Sequence, residues 1–264
     1  MRHRRTSPRS RVPHAAGLFA ALTALATALR QSQVRPALLA EYVEGLDRQE
    51  PDVVLAVARV LQAGSADWAP EAAVDCLRLM AQDVRDEIAA AALEALGNVR
   101  LPQAARALQT LIPVLSPALR PAAERLLRKL RFAGVAVQAL PPPDPEWRAL
   151  AGPVDGYGQQ TLWFAQRQPM TAYLRFLNVL LSDRAGAVEA AGHGQVPLQM
   201  LPPRRPTGTL HDLALPDGSG ALLMLEIPFD LGRRLLHDAL AQNRETQIPV
   251  AGTLRLLGIW LWEV

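Results

Sequence analysis

Residues 83–97 read DVRDEIAAAALEALG, and this stretch decides the fold class of the first half of the chain. Its larger apolar side chains recur at helical spacing: Ile88, Ala92, Leu93 and Leu96. An acidic residue follows the opening turn, where the positive end of a helix dipole favours negative charge, and Gly97 is placed to close the helix in a left-handed conformation. We therefore predict a helix between these two ends.

Two further segments share this pattern and indicate an internal repeat. Pro51-Asp52-Val53 opens a predicted helix that runs through Leu61, and residues 116–120 open another that runs through Leu130. A second apolar helix is predicted before each of the three segments: Leu38–Leu46, Ala72–Met80 and Ala104–Leu115. Two helices in about 30–40 residues are typical of a stacked helical repeat.

Asp83-Val84-Arg85, followed by Ala91-Ala92-Leu93 and Ala95-Leu96-Gly97, resembles the second helix of a HEAT repeat in the form shared with phycobilisome-lyase-like repeats. The segment around Leu119-Arg120 resembles it less closely. The resemblance covers residues 36–131 and implies an α-helical solenoid. It implies no particular activity, because such arrays serve as scaffolds, chaperones and a few lyases. It also implies that Arg85 and Arg120 are mostly structural and bond helix ends between repeats.

Charge is unevenly distributed along the chain, so the net charge of +3 is a misleading average. Residues 1–14 contain five arginines and no acid, which predicts a basic disordered tail. Residues 41–94 carry 12 acidic and 4 basic side chains, whereas residues 100–131 carry 7 basic and 1 acidic. We predict that the second region binds a partner through one face of its last helix: Arg120, Arg125, Arg128, Lys129 and Arg131. An acidic protein, an RNA backbone or the chain's own second domain fits such a face, and a merely solvated face explains the same pattern.

The apolar run Ala15–Ala28 permits two interpretations. The arginines before it and the small residues at its end resemble a secretory signal peptide over residues 1–28, which would make the protein secreted. Its leucines instead recur on one helical face, at Leu18, Leu22, Leu25 and Leu29, which predicts a helix at the end of the array. We favour the helix, and hence a cytoplasmic protein, and the run is too short to span a membrane.

The sequence changes character after Leu130. Residues 134–148 contain a proline cluster that forbids helix continuation, and we predict a linker there. Strands are predicted at Thr161–Gln166 and Tyr173–Leu181, the second buried on both faces. Two hairpins follow: residues 182–186 connect to Val188–Ala191, and residues 216–220 join Thr209–Leu215 to Ala221–Ile227.

Two further elements are predicted near the end of the chain. Asp230 is placed to cap an amphipathic helix that ends near Asn243, and the run Leu254–Leu261 has the pattern of a returning strand. The predicted architecture is therefore a HEAT-like helical solenoid over residues 15–133, followed by an α+β domain with an antiparallel sheet over residues 149–264. This combination resembles bacterial HEAT-repeat proteins.

No motif in the sequence indicates a catalytic, metal or cofactor site. None of the histidines in the second half has metal-ligand spacing: His193, His211 and His237. Asp183 and Glu226 lie at or near predicted strand ends but lack the nearby lysine that metal-dependent nucleases usually need. The single cysteine, Cys76, lies in an apolar helical run, so we expect it to pack as a small hydrophobic residue.

The glycine-rich loop before the strand at 161–166 is a candidate pocket rim, because flexible loops beside aromatic side chains often line binding sites. The residues predicted for this rim are Asp155, Tyr157 and Trp163. A hairpin that leads into an aromatic core explains the same residues without any ligand.

Three functions are compatible with these patterns. We favour a non-catalytic interaction scaffold or adaptor, in which the helical repeat binds another protein and the α+β domain is an accessory module of unknown ligand. The alternatives are a repeat-based enzyme of bilin-lyase-like type and an RNA-associated factor that uses the basic residues between 100 and 131. The sequence does not predict the partner's identity or the oligomeric state.

Overall fold

The computed structural model describes residues 15–64, 68–142, 144–214 and 221–263. The predicted basic tail 1–14 and the predicted hairpin turn 216–220 lie outside the described residues. The first part of the chain is helical, and the second part combines helices with a six-stranded antiparallel sheet. At this level the predicted fold class is confirmed.

The helical part is a succession of helical hairpins. Its helices are α1 Ala15–Gln31, α2 Ala37–Asp47, α3 Pro51–Ala63, α4 Pro70–Met80, α5 Asp86–Leu96, α6 Pro102–Leu111 and α7 Arg120–Phe132, with a short 3-10 turn, Ile112–Val114, after α6. The helices lie in two layers, because α2, α4 and α6 pack side by side and so do α3, α5 and α7. The helix predicted over the run 15–28 is confirmed as α1, which buries Leu25 and Leu29 against α2 and α3.

Arg85 connects successive helical hairpins. Its guanidinium donates hydrogen bonds to two carbonyls of the preceding hairpin, that of Gln49 in the connection between α2 and α3 at 3.0 Å and that of Leu46 in the last turn of α2 at 3.4 Å. Asp83 accepts two more, at 2.9 and 2.7 Å, and holds the side chain in place. Arg85 therefore has the structural role that the sequence resemblance implies for it.

Gly97 ends α5 for a reason that the sequence does not show. Its φ angle is −67°, so the predicted left-handed conformation is wrong. A Cβ atom at this position would overlap the side chain of Leu126 from α7. The glycine is needed because α5 and α7 approach closely there.

The α+β part contains β1 Trp147–Ala151, β2 Gln159–Arg167, β3 Tyr173–Ser182, β4 Gly186–Pro197, β5 Leu210–Ala214, β6 Ala221–Ile227, α8 Phe229–Thr246, α9 Gly252–Leu257 and α10 Ile259–Trp262. The strand order is β4-β3-β2-β1-β6-β5, and every pair is antiparallel. The strand pairings of the two predicted hairpins are confirmed as β3–β4 and β5–β6.

Three predictions for this part need correction. Strand β1 begins at Trp147, inside the predicted linker, and is fully buried between β2 and β6. Helix α8 begins at Phe229 after Pro228, so Asp230 lies in its first turn rather than at its cap. The run 254–261 is helical rather than extended, because its side chains pack against α2, α4 and α6 instead of joining the sheet.

The two faces of the sheet are covered differently. The face that carries Ala149, Phe164 and Leu177 packs on α8 and α9, so we call it the helix face. Strands β4 and β5 form opposite edges, and the connection between them, residues 198–209, crosses the other face. We call this connection the strap. The guanidinium of Arg148 donates to the carbonyl of Pro202 in the strap at 2.8 Å.

A buried ion pair joins the helical part to the α+β part. Arg255 of α9 is fully buried, and its guanidinium donates to both carboxylate oxygens of Asp47 in α2, at 3.1 and 2.9 Å. The carbonyl of Arg255 in turn accepts hydrogen bonds from Arg78 at 3.0 Å and Gln82 at 3.1 Å, both in the helical part. The backbone N–H at the start of α9 donates to Glu44 at 2.6 Å.

None of the helices in the described ranges has the length and apolar character that crossing a membrane requires.

The ion pair predicts a large effect of removing its acid. In Asp47→Asn the buried Arg255 keeps its charge without a counter-charge, and breaking a buried pair in this way costs about 3–5 kcal/mol of unfolding free energy. Denaturant unfolding followed by circular dichroism measures this loss. Glu94→Gln, an exposed acid on α5, is the matched control and should change stability by less than about 0.5 kcal/mol. Equal effects of the two substitutions would contradict a central role for the pair.

Candidate functional site

The candidate site is the solvent side of α7, which we call the basic surface and define as Arg125, Arg128, Lys129 and Arg131. All four side chains are exposed. Helix α7 is anchored from its other side by its buried residues Ala123, Leu126 and Leu130, which pack toward α5 and α6. The structure thus brings four of the five predicted partner-binding residues together on one accessible helix.

The members of the basic surface differ in how firmly they are held. The ammonium of Lys129 donates to the side chain of Asn98 at 2.6 Å, so it is already engaged. The three arginines extend from an exposed part of the helix. Phe132 follows them at the end of α7 and is 90% exposed, which places an aromatic ring at the border of the basic surface. The arrangement offers both charge and an apolar contact to a partner.

Arg120, the fifth predicted residue, belongs to a different environment. It is half-buried at the first turn of α7, and its Nε is buried with no hydrogen-bond partner among the described residues. It lies near Arg244 of α8. Burial lowers the pKa of Arg244, Asp86 opposes this effect, and the positive charge of Arg120 lowers the pKa further. Arg120 therefore faces the junction with the α+β part rather than the exposed helix face.

The helix next to α7 in its layer is acidic. Helix α5 lies beside α7 and exposes Glu87 and Glu94, whereas α3, on the far side of α5, exposes one acid, Asp52, and one base, Arg59. The folded layer therefore places acidic α5 directly beside basic α7. A partner that binds the basic surface meets repulsion if its negative charge continues across the layer.

The residues predicted as a pocket rim have separate surroundings. A carboxylate oxygen of Asp155 accepts hydrogen bonds from the backbone N–H groups of Tyr157 and Gln159, both at 2.8 Å, and so shapes the turn between β1 and β2. The ring of Tyr157 is 82% exposed, whereas Trp163 packs edge-on against Phe176 in the sheet. These contacts give Asp155 a structural role, and a binding role for Tyr157 and Trp163 stays a prediction.

A buried charged cluster that the sequence did not predict lies on the strap side of the sheet. Arg148 in β1 donates to the two carboxylate oxygens of Glu226 in β6 at 2.8 and 2.6 Å. His211 in β5 places its Nε2 2.9 Å from the same carboxylate. All three side chains are buried. The only signal in the sequence was one charged residue in each of two largely apolar strands, and nothing there shows that the strands are neighbours.

The charged cluster holds the strap in place. Each nitrogen of the Arg148 guanidinium has a partner, since Nη1 binds the strap and the other two bind Glu226. Beneath the strap lies a cleft of about 510 Å³ lined by Arg148, Arg167 and Arg204 among others. Because every nitrogen of the Arg148 guanidinium already has a protein partner, we assign the cluster a structural role.

The acidic member of this cluster has a perturbed pKa. Burial raises the pKa of Glu226, but hydrogen bonds from Arg148 and His211 and their charges outweigh that effect and hold the pKa below its usual value. The ionised carboxylate is thus the form that the folded protein stabilises.

The described residues contain no group of three or more His, Cys, Asp or Glu side chains arranged to hold a metal ion. Asp183 and Glu226, the carboxylates that the sequence places at strand ends, differ in environment, because Asp183 is largely exposed and Glu226 is buried. Cys76 is fully buried in α4, and burial raises the pKa of its thiol to about 12. A thiol of that pKa is a poor nucleophile at neutral pH.

Comparison of the chain with protein-family models, with curated proteins and with solved structures found no match.

The lowered pKa of Glu226 predicts a pH-dependent stability. A carboxylate whose folded pKa lies below its unfolded value, about 4.3, stabilises the fold above that value and loses the contribution as pH falls through the folded pKa. Wild type should therefore exceed Glu226→Gln in unfolding free energy by about 3–5 kcal/mol at pH 7, with the difference shrinking below about pH 4. Urea unfolding at several pH values measures the difference in unfolding free energy and its decrease at low pH.

Glu189→Gln, at an exposed position on edge strand β4, is the control for this series and should follow wild type at every pH. If the gap between wild type and Glu226→Gln stayed constant down to pH 3, the carboxylate would not be the titrating group.

Proposed function

We propose that the protein is a non-catalytic interaction adaptor, in which a HEAT-type helical array presents the basic surface of α7 to an acidic segment of another protein. The observation that carries this proposal is the grouping of exposed arginines around an exposed aromatic ring on a helix that is anchored from its other side. Charged side chains of this kind steer encounter, and a buried aromatic ring supplies contact area at an interface.

The HEAT-type assignment is supported by the arrangement of the helices. Consecutive hairpins contribute one helix to each of two layers, as expected of stacked repeats. The bonding of Arg85 to the carbonyls of the preceding hairpin supports the same assignment, because it links neighbouring units rather than residues within one unit.

The position of the α+β part supports the choice of surface. Helices α9 and α10 pack on α2, α4 and α6, so the chain covers that layer of the array with its own residues. The layer of α3, α5 and α7 keeps charged side chains exposed to solvent, among them the basic surface. In this proposal the α+β part packs on the layer of α2, α4 and α6, and the partner binds to the layer of α3, α5 and α7.

A protein partner fits the surface better than a nucleic acid. The affinity of a protein for a nucleic acid increases with the number of phosphates that its basic side chains neutralise. Tight binding of a nucleic acid therefore requires a long, continuous basic surface. Here the basic surface is limited to one helix and is bordered by the acidic residues of α5. A short acidic segment with one apolar side chain matches both the extent of the charge and the exposed ring of Phe132.

Site-specific cross-linking tests the proposal. Replacing Phe132 by the photo-cross-linker p-benzoylphenylalanine should capture a protein from the native host's lysate after illumination, and nuclease treatment should not reduce the yield. The same cross-linker at Phe19, which is 74% exposed on α1, is the positional control and should not capture that protein. Mass spectrometry identifies the captured species.

Charge reversal tests the role of the arginines in the same assay. Arg125, Arg128 and Arg131 changed together to Glu should lower capture at position 132 by about tenfold or more, because attraction becomes repulsion. Reversal of Arg35, Arg59 and Arg184, which are exposed outside α7, applies the same change of net charge as a control and should leave capture unchanged. Capture of RNA instead of protein, or equal capture by both triple variants, would overturn the proposal.

A further inference from the structure

A cleft of about 640 Å³ lies where the helical part, the connection after α7 and helix α10 meet. The cleft has the size typical of small-molecule sites. Helices α4 and α6 contribute Arg78 and Arg106 to its wall, and α10 and the residue after it contribute Ile259 and Glu263. The connection supplies the opposite wall, which is fixed because the side chain of Gln109 donates to the carbonyl of Gln138 at 2.9 Å.

Arg78 is the unusual member of this wall. Its side chain is 5% exposed, so it is almost entirely buried, and its Nη1 is used by the carbonyl of Arg255. Its Nε is buried and has no hydrogen-bond partner among the described residues. The nearest carboxylate, that of Asp75, lies 3.8 Å from Nε, which is too far for a hydrogen bond. The positive charge of this guanidinium therefore has only a loose counter-charge, and it attracts an anion in the adjoining cleft.

A second arginine in the cleft is also incompletely paired. The Nε of Arg106 lies 3.9 Å from the carboxylate of Glu263, and its Nη2 reaches the Glu263 carbonyl only at 3.4 Å. Arg106 is in the second turn of α6, and the first turn of that helix, at Pro102 and Gln103, lines the same cleft. A helix N-terminus favours negative charge, so it adds to the attraction that the two guanidinium groups exert.

The rest of the lining limits the charge and shape of a ligand. Asp75 and Glu263 also face the cleft, so a polyanion would meet repulsion from two carboxylates. The remaining surface is largely apolar and includes Ala107, Ala139 and Ile259. The chemistry that fits is one negative charge attached to an apolar body.

We propose that this cleft binds the carboxylate group of a small apolar acid, with Arg106 as its direct ligand and the buried positive charge of Arg78 as a second source of attraction. The carboxylate competes with Glu263 for the hydrogen bonds of Arg106. The apolar body lies against the alanine and isoleucine side chains. A free acid and the C-terminus of a polypeptide carry the same group, so either is a source of the ligand.

Titration calorimetry and thermal unfolding of the full-length chain with octanoate test the site. Octanoate should bind saturably and raise the unfolding temperature. Octan-1-ol, which has the same apolar body without the charge, should bind at least tenfold more weakly, and inorganic phosphate should bind more weakly than octanoate. An acetylated apolar tripeptide with a free C-terminus, compared with its amide, distinguishes a polypeptide source from a free acid.

Two variants connect binding to the cleft. Arg106→Gln removes the direct ligand, and Ala139→Trp fills the cleft from an exposed position, so both should reduce octanoate affinity by about tenfold or more while retaining the wild-type circular dichroism spectrum. Arg59→Gln and Ala133→Trp make the same changes at exposed positions outside the cleft lining and should bind like wild type. Absent binding of both carboxylate probes, equal binding of octanol, or full affinity in both cleft variants would overturn the proposal.

Discussion

The ion pair between Asp47 and Arg255 is the contact on which the arrangement of the chain depends. Both side chains are in the interior, and a guanidinium there without its carboxylate would be strongly destabilising. Helix α9 can therefore dock on α2 only where the two groups meet. In this position the carbonyl of Arg255 also accepts hydrogen bonds from the side chains of Arg78 and Gln82. A single position of α9 therefore pairs the Asp47 carboxylate and both of these donors.

This docking determines which surfaces remain for other molecules. It covers the layer of α2, α4 and α6 and creates a cleft at its edge, between α4, α6 and α10. It leaves the charged side chains of α3, α5 and α7 in contact with solvent. The proposed small-molecule site and the proposed protein-binding surface thus lie on different layers of the same array, and both follow from where α9 binds.

The features predicted correctly from sequence are those that local periodicity specifies. The helical hairpins, the β3–β4 and β5–β6 pairs and the exposed arginines of α7 each depend on residues close together in the chain. The run 254–261 was predicted as a strand from its local apolar pattern, but contacts with α2, far away in sequence, stabilise a helix. The cluster of Arg148, Glu226 and His211 was missed for the same reason. Its members come from three strands whose order in the sheet no local pattern reveals.

The strap has a consequence for how the protein reaches this structure. Strands β1 to β4 form a meander of neighbours, which short loops can assemble quickly. Strand β1 pairs on its other side with β6, which arrives only after the strap has crossed the sheet. Until then the apolar strand Trp147–Ala151 is an open sheet edge, the kind of edge that recruits strands from other chains. Closure of the strap is therefore the folding step during which this protein is most exposed to aggregation.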